Sequence, residues 1–160
     1  WGGAPYNAAL DAAVGRARSR GAVVVAAAGN DGRDLDASPF YPASYITRHD
    51  NVVTVAATDF ADALPGWSNR GRNTVTLAAP GENVFSTLPN GGYGLKSGTS
   101  MAAPFVSGAV AVLWDQNPTW TYQQVIARLK ATVDPLPALA GRTQTGGRLN
   151  LAKLVGAPPL

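Results

Sequence analysis

Among the side chains able to do covalent chemistry, one serine stands in a special setting. Ser100 lies in Gly98-Thr99-Ser100-Met101-Ala102-Ala103-Pro104, which runs into Val106-Ser107-Gly108-Ala109-Val110-Ala111-Val112-Leu113-Trp114. The pattern predicts a tight turn opening a helix. Gly98 permits a steep entry, Thr99 and Ser100 are capping residue types, and Pro104 is expected in the first turn, where no intrahelical N–H is needed. A serine there faces unpaired N–H groups and the positive end of the helix dipole. That setting suits an anion, including the oxyanion formed when a hydroxyl attacks a carbonyl. Taken alone, Gly-Thr-Ser before a helix is just a cap. Two neighbours extend the reading: the helix that follows is apolar nearly all round and is expected to be buried, and Ala26-Ala27-Ala28-Gly29-Asn30, seventy positions upstream of Ser100, is an apolar strand ending in a turn that could bring an amide donor to the same point.

A serine nucleophile needs a general base. The chain has one histidine, His49, flanked by Arg48 and Asp50 and expected in an exposed polar turn. Cysteine is absent, which excludes disulfides, zinc–thiolate sites and a thiol nucleophile. The Gly-x-Ser-x-Gly elbow of the α/β-hydrolases fails at Ala102. The 160 residues carry 13 Lys and Arg against 10 Asp and Glu, a net charge of +3. Arg16, Arg18 and Arg20 alternate around a predicted helix and make no single basic stripe, so a nucleic-acid partner is not expected. No apolar run is long enough to span a membrane, and the first residues lack a signal-peptide pattern.

These residues have to be positioned by the elements around them. Asn7 caps a helix predicted over about 8–20, and Ala22 to Ala28 reads as a strand covered on both faces. That order implies a parallel sheet with crossovers. Asn51 to Thr58 and Thr74 to Ala78 are two more buried strands, separated by the turn-rich 59–73, where Asp59 and Asp62 serve as turn residues. Short strands at Val84 to Thr87 and Tyr93 to Lys96 flank an Asn90-Gly91-Gly92 hairpin turn. After the serine helix, Thr121 and Gln124 form a capping box, and Asn150 caps a last short helix.

The Gly-Thr-Ser-Met-Ala-x-Pro motif at Ser100 and the Ala-Ala-Ala-Gly-Asn segment ending at Asn30 together resemble the subtilisin-like serine proteases, peptidase family S8. The resemblance runs over essentially the whole chain. It implies an α/β, three-layer fold with a mostly parallel sheet, of which residues 1–160 would be the C-terminal part. The aspartate and histidine of the triad would precede Trp1. Ser100 is implied as nucleophile, with its own N–H and the Asn30 amide holding the oxyanion. Trp1, Gly2 and Gly3 would form one wall of the substrate groove and Ala27, Ala28 and Gly29 the other, with Thr99 grouped among the substrate-binding residues. Phe40 would sit near the pocket floor and Asp31 near its rim, shortening the pocket and tolerating basic groups. Trp67, Lys96 and Met101 would lie on the leaving-group side. Phe105 replaces the family's histidine after the motif proline, and Thr76 replaces an aspartate that holds a weak cation in some members. No cofactor is therefore expected from these residues, and calcium is left to the full domain, where family members can hold it. Tyr41-Pro42 falls where the family has a cis bond, whereas sequence alone favours trans. The implied partners are a polypeptide substrate and the N-terminal half of the same domain, in a secreted enzyme of bacterial type. The rival readings are a groove that binds peptide without cleaving it and a self-processed two-chain enzyme. With strands missing before Trp1, the sheet should carry an open apolar edge.

Overall fold

The computed structural model describes residues 2–3 and 5–156. Trp1 lies outside them. Helix α1 (Ala8–Ser19) starts where Asn7 Oδ1 accepts from the Leu10 N–H at 2.9 Å. Strands β1 (Val24–Ala27), β2 (Val52–Thr58) and β3 (Leu77–Pro80) follow, then a hairpin of β4 (Val84–Thr87) and β5 (Tyr93–Lys96). Helices α2 (Thr99–Gln116) and α3 (Tyr122–Ala131), strands β6 (Asp134–Pro135) and β7 (Gly147–Arg148) and helix α4 (Leu151–Val155) complete the chain. The main sheet has the order β1-β2-β3-β7-β6. It is parallel except for the β6–β7 pair.

Three layers result from the two-residue period of β2, every residue of which is buried. Val53, Val55 and Ala57 face a core shared with α2, α3 and α4. Val52 and Ala56 face the opposite core, which holds Val14 of α1 and Tyr45 of a 3-10 turn over Ala43–Thr47. Thr121 and Gln124 close the expected capping box on α3, and Asn150 caps α4.

Several expectations need correcting. The third strand begins at Leu77 rather than Thr74, because the Val75 N–H turns back to Gly71 O at 3.0 Å before the chain extends. The hairpin closes through a longer loop in which Leu88 N donates to Gly92 O, with a 3-10 turn over Pro89–Gly91. The Tyr41–Pro42 bond is cis. Pro104 falls in the second turn of α2, so the Ser100 carbonyl loses its i+4 donor there. Helix α2 is not buried all round. Ala102, Val106, Ala109, Val110 and Leu113 are buried in the core shared with the sheet, α3 and α4, while Phe105 and Val112 on the outer face are 46% and 45% exposed. Strand β1 lies at the sheet edge with Val24, Val25 and Ala27 only half-buried, so the strand expected to be covered on both faces leaves apolar surface open.

Candidate active site

The first turn of α2 contains the feature on which the site is built. Gly98, its cap residue, has no side chain to offer the free N–H groups, and the cap comes from far away in sequence. Asn30 Oδ1 accepts from the Thr99 N–H at 2.8 Å and from the Thr99 hydroxyl at 3.0 Å. That hydroxyl in turn accepts from the Gly29 N–H at 3.0 Å. Since a backbone N–H must face an acceptor, the oxygen of the Asn30 amide has to point at Thr99. Its nitrogen is then left as an outward donor, with no hydrogen-bond partner among the described residues. The Met101 N–H, and more weakly that of Ala102, turns back to Gly98 O. The Ser100 N–H has no partner among the described residues, and the Ser100 side chain is exposed without a hydrogen bond there.

Two free donors thus flank one small space. A Cβ placed on Gly98 would stand 3.4 Å from Asn30 Nδ2 and 3.7 Å from the Ser100 nitrogen. Gly98, at φ 150° and ψ 158°, occupies a region that only glycine adopts readily. Its N–H is anchored to Gly81 O at 2.8 Å, at the end of β3. The arrangement can hold a negatively charged oxygen beside a serine hydroxyl, with both donors fixed before any ligand arrives.

The residues expected to form the groove walls are described from Gly2 onward. Gly3 and Tyr41 exchange two backbone hydrogen bonds, Gly3 N to Tyr41 O at 2.9 Å and Tyr41 N to Gly3 O at 2.8 Å. The Phe40 ring occupies the gap between Gly2 and Gly29, since a Cβ on Gly2 would be 2.6 Å from Phe40 Cζ and one on Gly29 3.1 Å from Phe40 Cε1. Ala28 and Gly29 are buried, Ala27 half-buried and Asp31 exposed near Arg33. Thr99, expected to meet substrate, is fully buried and holds Asn30 instead of lining the groove. On the other side of Ser100 an open cleft of about 510 Å³ is lined by Met101, Pro104, Phe105, Lys96 and Phe85. Trp67 is not part of it and packs against the α2 core.

His49 is not an exposed loop residue. Its side chain is 15% exposed, its Nε2 lies 2.9 Å from Asp11 Oδ1, and it packs beside Gly15 and Tyr45 on the α1 layer, across the sheet from α2. Burial favours the neutral form of Asp11, but hydrogen bonds from His49, Tyr6 and Arg48 outweigh it and hold the carboxyl below its ordinary range. The pair is structural in its setting and remote from Ser100. Sequence reading missed Asn69 and Gly81. Both lie beside ordinary turn signals, Gly66 and Gly71 for one and Pro80 for the other, and nothing local marks them as buried.

The model of the subtilase family matches residues 1–157. A subtilisin of Bacillus pumilus is 42% identical over 132 residues, covering 82% of this chain and 46% of the relative. A protease from Pseudoalteromonas arctica superposes with a TM-score of 0.84 at 32% identity, over 98% of this chain and 49% of that one. The epidermin leader peptide processing serine protease of Staphylococcus aureus superposes with a TM-score of 0.80 at 30% identity, over 92% and 43%. The chain therefore spans about half the length of these three relatives.

Proposed function

Because this chain belongs to the subtilase family, we propose that it forms the C-terminal, nucleophile-bearing part of the catalytic domain of a serine endopeptidase. In this reading Ser100 Oγ attacks the scissile carbonyl of an extended peptide and its proton passes to a histidine outside the chain, itself oriented by an aspartate. The carbonyl oxygen becomes an oxyanion that accepts from the Ser100 N–H and from Asn30 Nδ2. Collapse, with the histidine giving its proton to the leaving nitrogen, breaks the C–N bond, releases the amine half of the substrate and leaves an acyl group on Ser100. Water, losing a proton to the histidine, then attacks that acyl carbon and frees the acid and the Ser100 hydroxyl. The strand that includes Gly2 and Gly3 would pair with the substrate backbone, and Ala27, Ala28 and Gly29 would form the opposite wall. Phe40, between Gly2 and Gly29, would restrict the residue before the cut to small side chains. The outer face of α2 and the β1 edge would be covered by the segment that brings the base. Secretion of a bacterial-type enzyme belongs to the same reading.

The observation supporting it is the pair of unpartnered donors either side of Gly98, next to an exposed serine. A second reading, a groove that binds peptide without cleaving it, draws on one observation too: the Ser100 hydroxyl has no hydrogen-bond partner among the described residues. Labelling with a fluorophosphonate serine probe separates the two. Labelling is expected when the chain is assembled with the segment bearing the aspartate and histidine, and is expected to vanish in Ser100→Ala. An assembled protein that binds peptide but stays unlabelled would establish the binding module instead.

A further inference from the structure

We propose that Asn69 is a positioning residue that holds Asn30 in its donor geometry. This goes one step deeper into the reading above and depends on it. Asn69 is fully buried, and its side chain satisfies backbone groups on both sides of Asn30. Asn69 Nδ2 donates to Ala28 O at 2.8 Å, while Asn69 Oδ1 accepts from the Asp31 N–H at 3.1 Å and the Arg33 N–H at 2.8 Å. Its own N–H donates to Gly29 O at 2.9 Å. Two peptide groups before Asn30 and two after it are therefore fixed by one residue. Gly29, at φ 104°, permits this approach, because any Cβ there would collide with Asn69 Nδ2.

The clamp works against a second one. From the α2 side, Thr99 holds the Gly29 N–H and Asn30 Oδ1. From the other side, the segment carrying Asn69 is stitched to the same loop through Gly32 N to Trp67 O, Arg70 N to Arg33 O and Leu35 N to Arg70 O. Asn30 itself is exposed, with its amide oxygen spent on Thr99 and its nitrogen without a partner among the described residues. Its backbone can turn that nitrogen away from the space over Gly98 only by breaking the Asn69 bonds. An asparagine is required because one planar amide must donate at one end and accept twice at the other. Aspartate lacks the donor and serine is too short to reach both sides.

The test is a double-mutant cycle in the assembled enzyme, measuring kcat and KM on a peptide substrate for wild type, Asn30→Ala, Asn69→Ala and the double variant. Asn30→Ala is expected to lower kcat by about 100- to 1000-fold. Asn69→Ala is expected to lower kcat by roughly 10- to 100-fold through misplacement of the donor, with KM nearly unchanged. The double variant should match Asn30→Ala, because the clamp has nothing left to position. If Asn69→Ala keeps wild-type turnover, or if its full loss persists in the Asn30→Ala background, the positioning role is overturned while the oxyanion reading stands. If Asn30→Ala itself keeps wild-type turnover, the oxyanion reading falls first. Should Asn69→Ala fail to fold, Asn69→Ser, which keeps one short acceptor, goes through the same cycle. Hydrogen exchange on wild type gives an independent reading: Asp31 and Arg33 amides should be strongly protected, and exchange at unprotected-loop rates overturns the clamp.

Discussion

Replacing Gly98 with alanine tests the centre of the proposed site with the smallest possible change. Two costs follow from the geometry. At φ 150° and ψ 158° an L side chain is forced into a region of backbone space that costs on the order of 1–3 kcal/mol. The added methyl would sit 3.4 Å from Asn30 Nδ2, 3.7 Å from the Ser100 nitrogen and 3.7 Å from Met101 Sδ. Those are ordinary contact distances, so the methyl fits without pushing either donor away. What it removes is the space between them. In subtilisin, loss of one oxyanion donor costs about 100- to 1000-fold in kcat, and obstruction of the gap should cost at least the lower figure. Urea unfolding followed by tryptophan fluorescence reads the strain, and steady-state turnover of the assembled enzyme reads the obstruction. The expected result is a stability loss of about 1–3 kcal/mol together with a kcat lowered by roughly 100-fold or more at similar KM. Turnover within about threefold of wild type, less than about 0.7 kcal/mol in barrier, would refute the placement of the oxyanion between these two donors.

Phe40→Ala should open the pocket between Gly2 and Gly29, and kcat/KM on a peptide series should move from small toward bulky residues before the cut, whereas an unchanged preference order would remove Phe40 from the pocket. Thr99→Val deletes the hydroxyl that serves Gly29 N and Asn30 Oδ1, and urea unfolding should show a loss of about 1–3 kcal/mol for the buried N–H left unpaired. Asp36 is a pH-sensitive tie: burial favours its neutral form, but hydrogen bonds from Thr74 and Asn73 outweigh it and hold its carboxyl below the ordinary range. A carboxylate with a depressed native value stabilises the fold above its unfolded value, about 3.9, and loses that contribution as pH falls further through the native one. Asp36→Asn should therefore lower stability at neutral pH and flatten its decline in acid, as measured by thermal unfolding across pH. A variant with the same acid limb as wild type would show that Asp36 contributes nothing to it.

The parts of this molecule legible in its sequence are those encoded by near neighbours. Asn7, the Thr121–Gln124 capping box and Asn150 each bond to a backbone N–H three residues away, and each acts as expected. The period of β2 likewise carries its two faces in its own residues. What failed depends on partners far along the chain. Thr99 and Ser100 are capping types, yet the cap on α2 is Asn30, 69 residues before Thr99, because Gly98 rather than either of them occupies the cap position. His49 looked exposed because its partner, Asp11, stands 38 residues earlier. Helix α2 looked buried because an apolar surface all round says nothing about whether both sides find a cover.

Gly81 shows the same limit at the site itself. A Cβ there would stand 2.6 Å from the Ala57 Cβ, 2.9 Å from Gly98 O and 3.2 Å from the Ala102 Cβ. Its place after Pro80 reads as a simple chain break. In the fold it lets the ends of β2 and β3 come against the first turn of α2, so that Gly81 O can hold the Gly98 N–H. The placement of the proposed nucleophile thus rests on close approach at Gly81 and Gly29 and on the positive φ of Gly98. A motif can signal the serine, but only the packed fold specifies why Gly81 and Gly29 exclude a side chain.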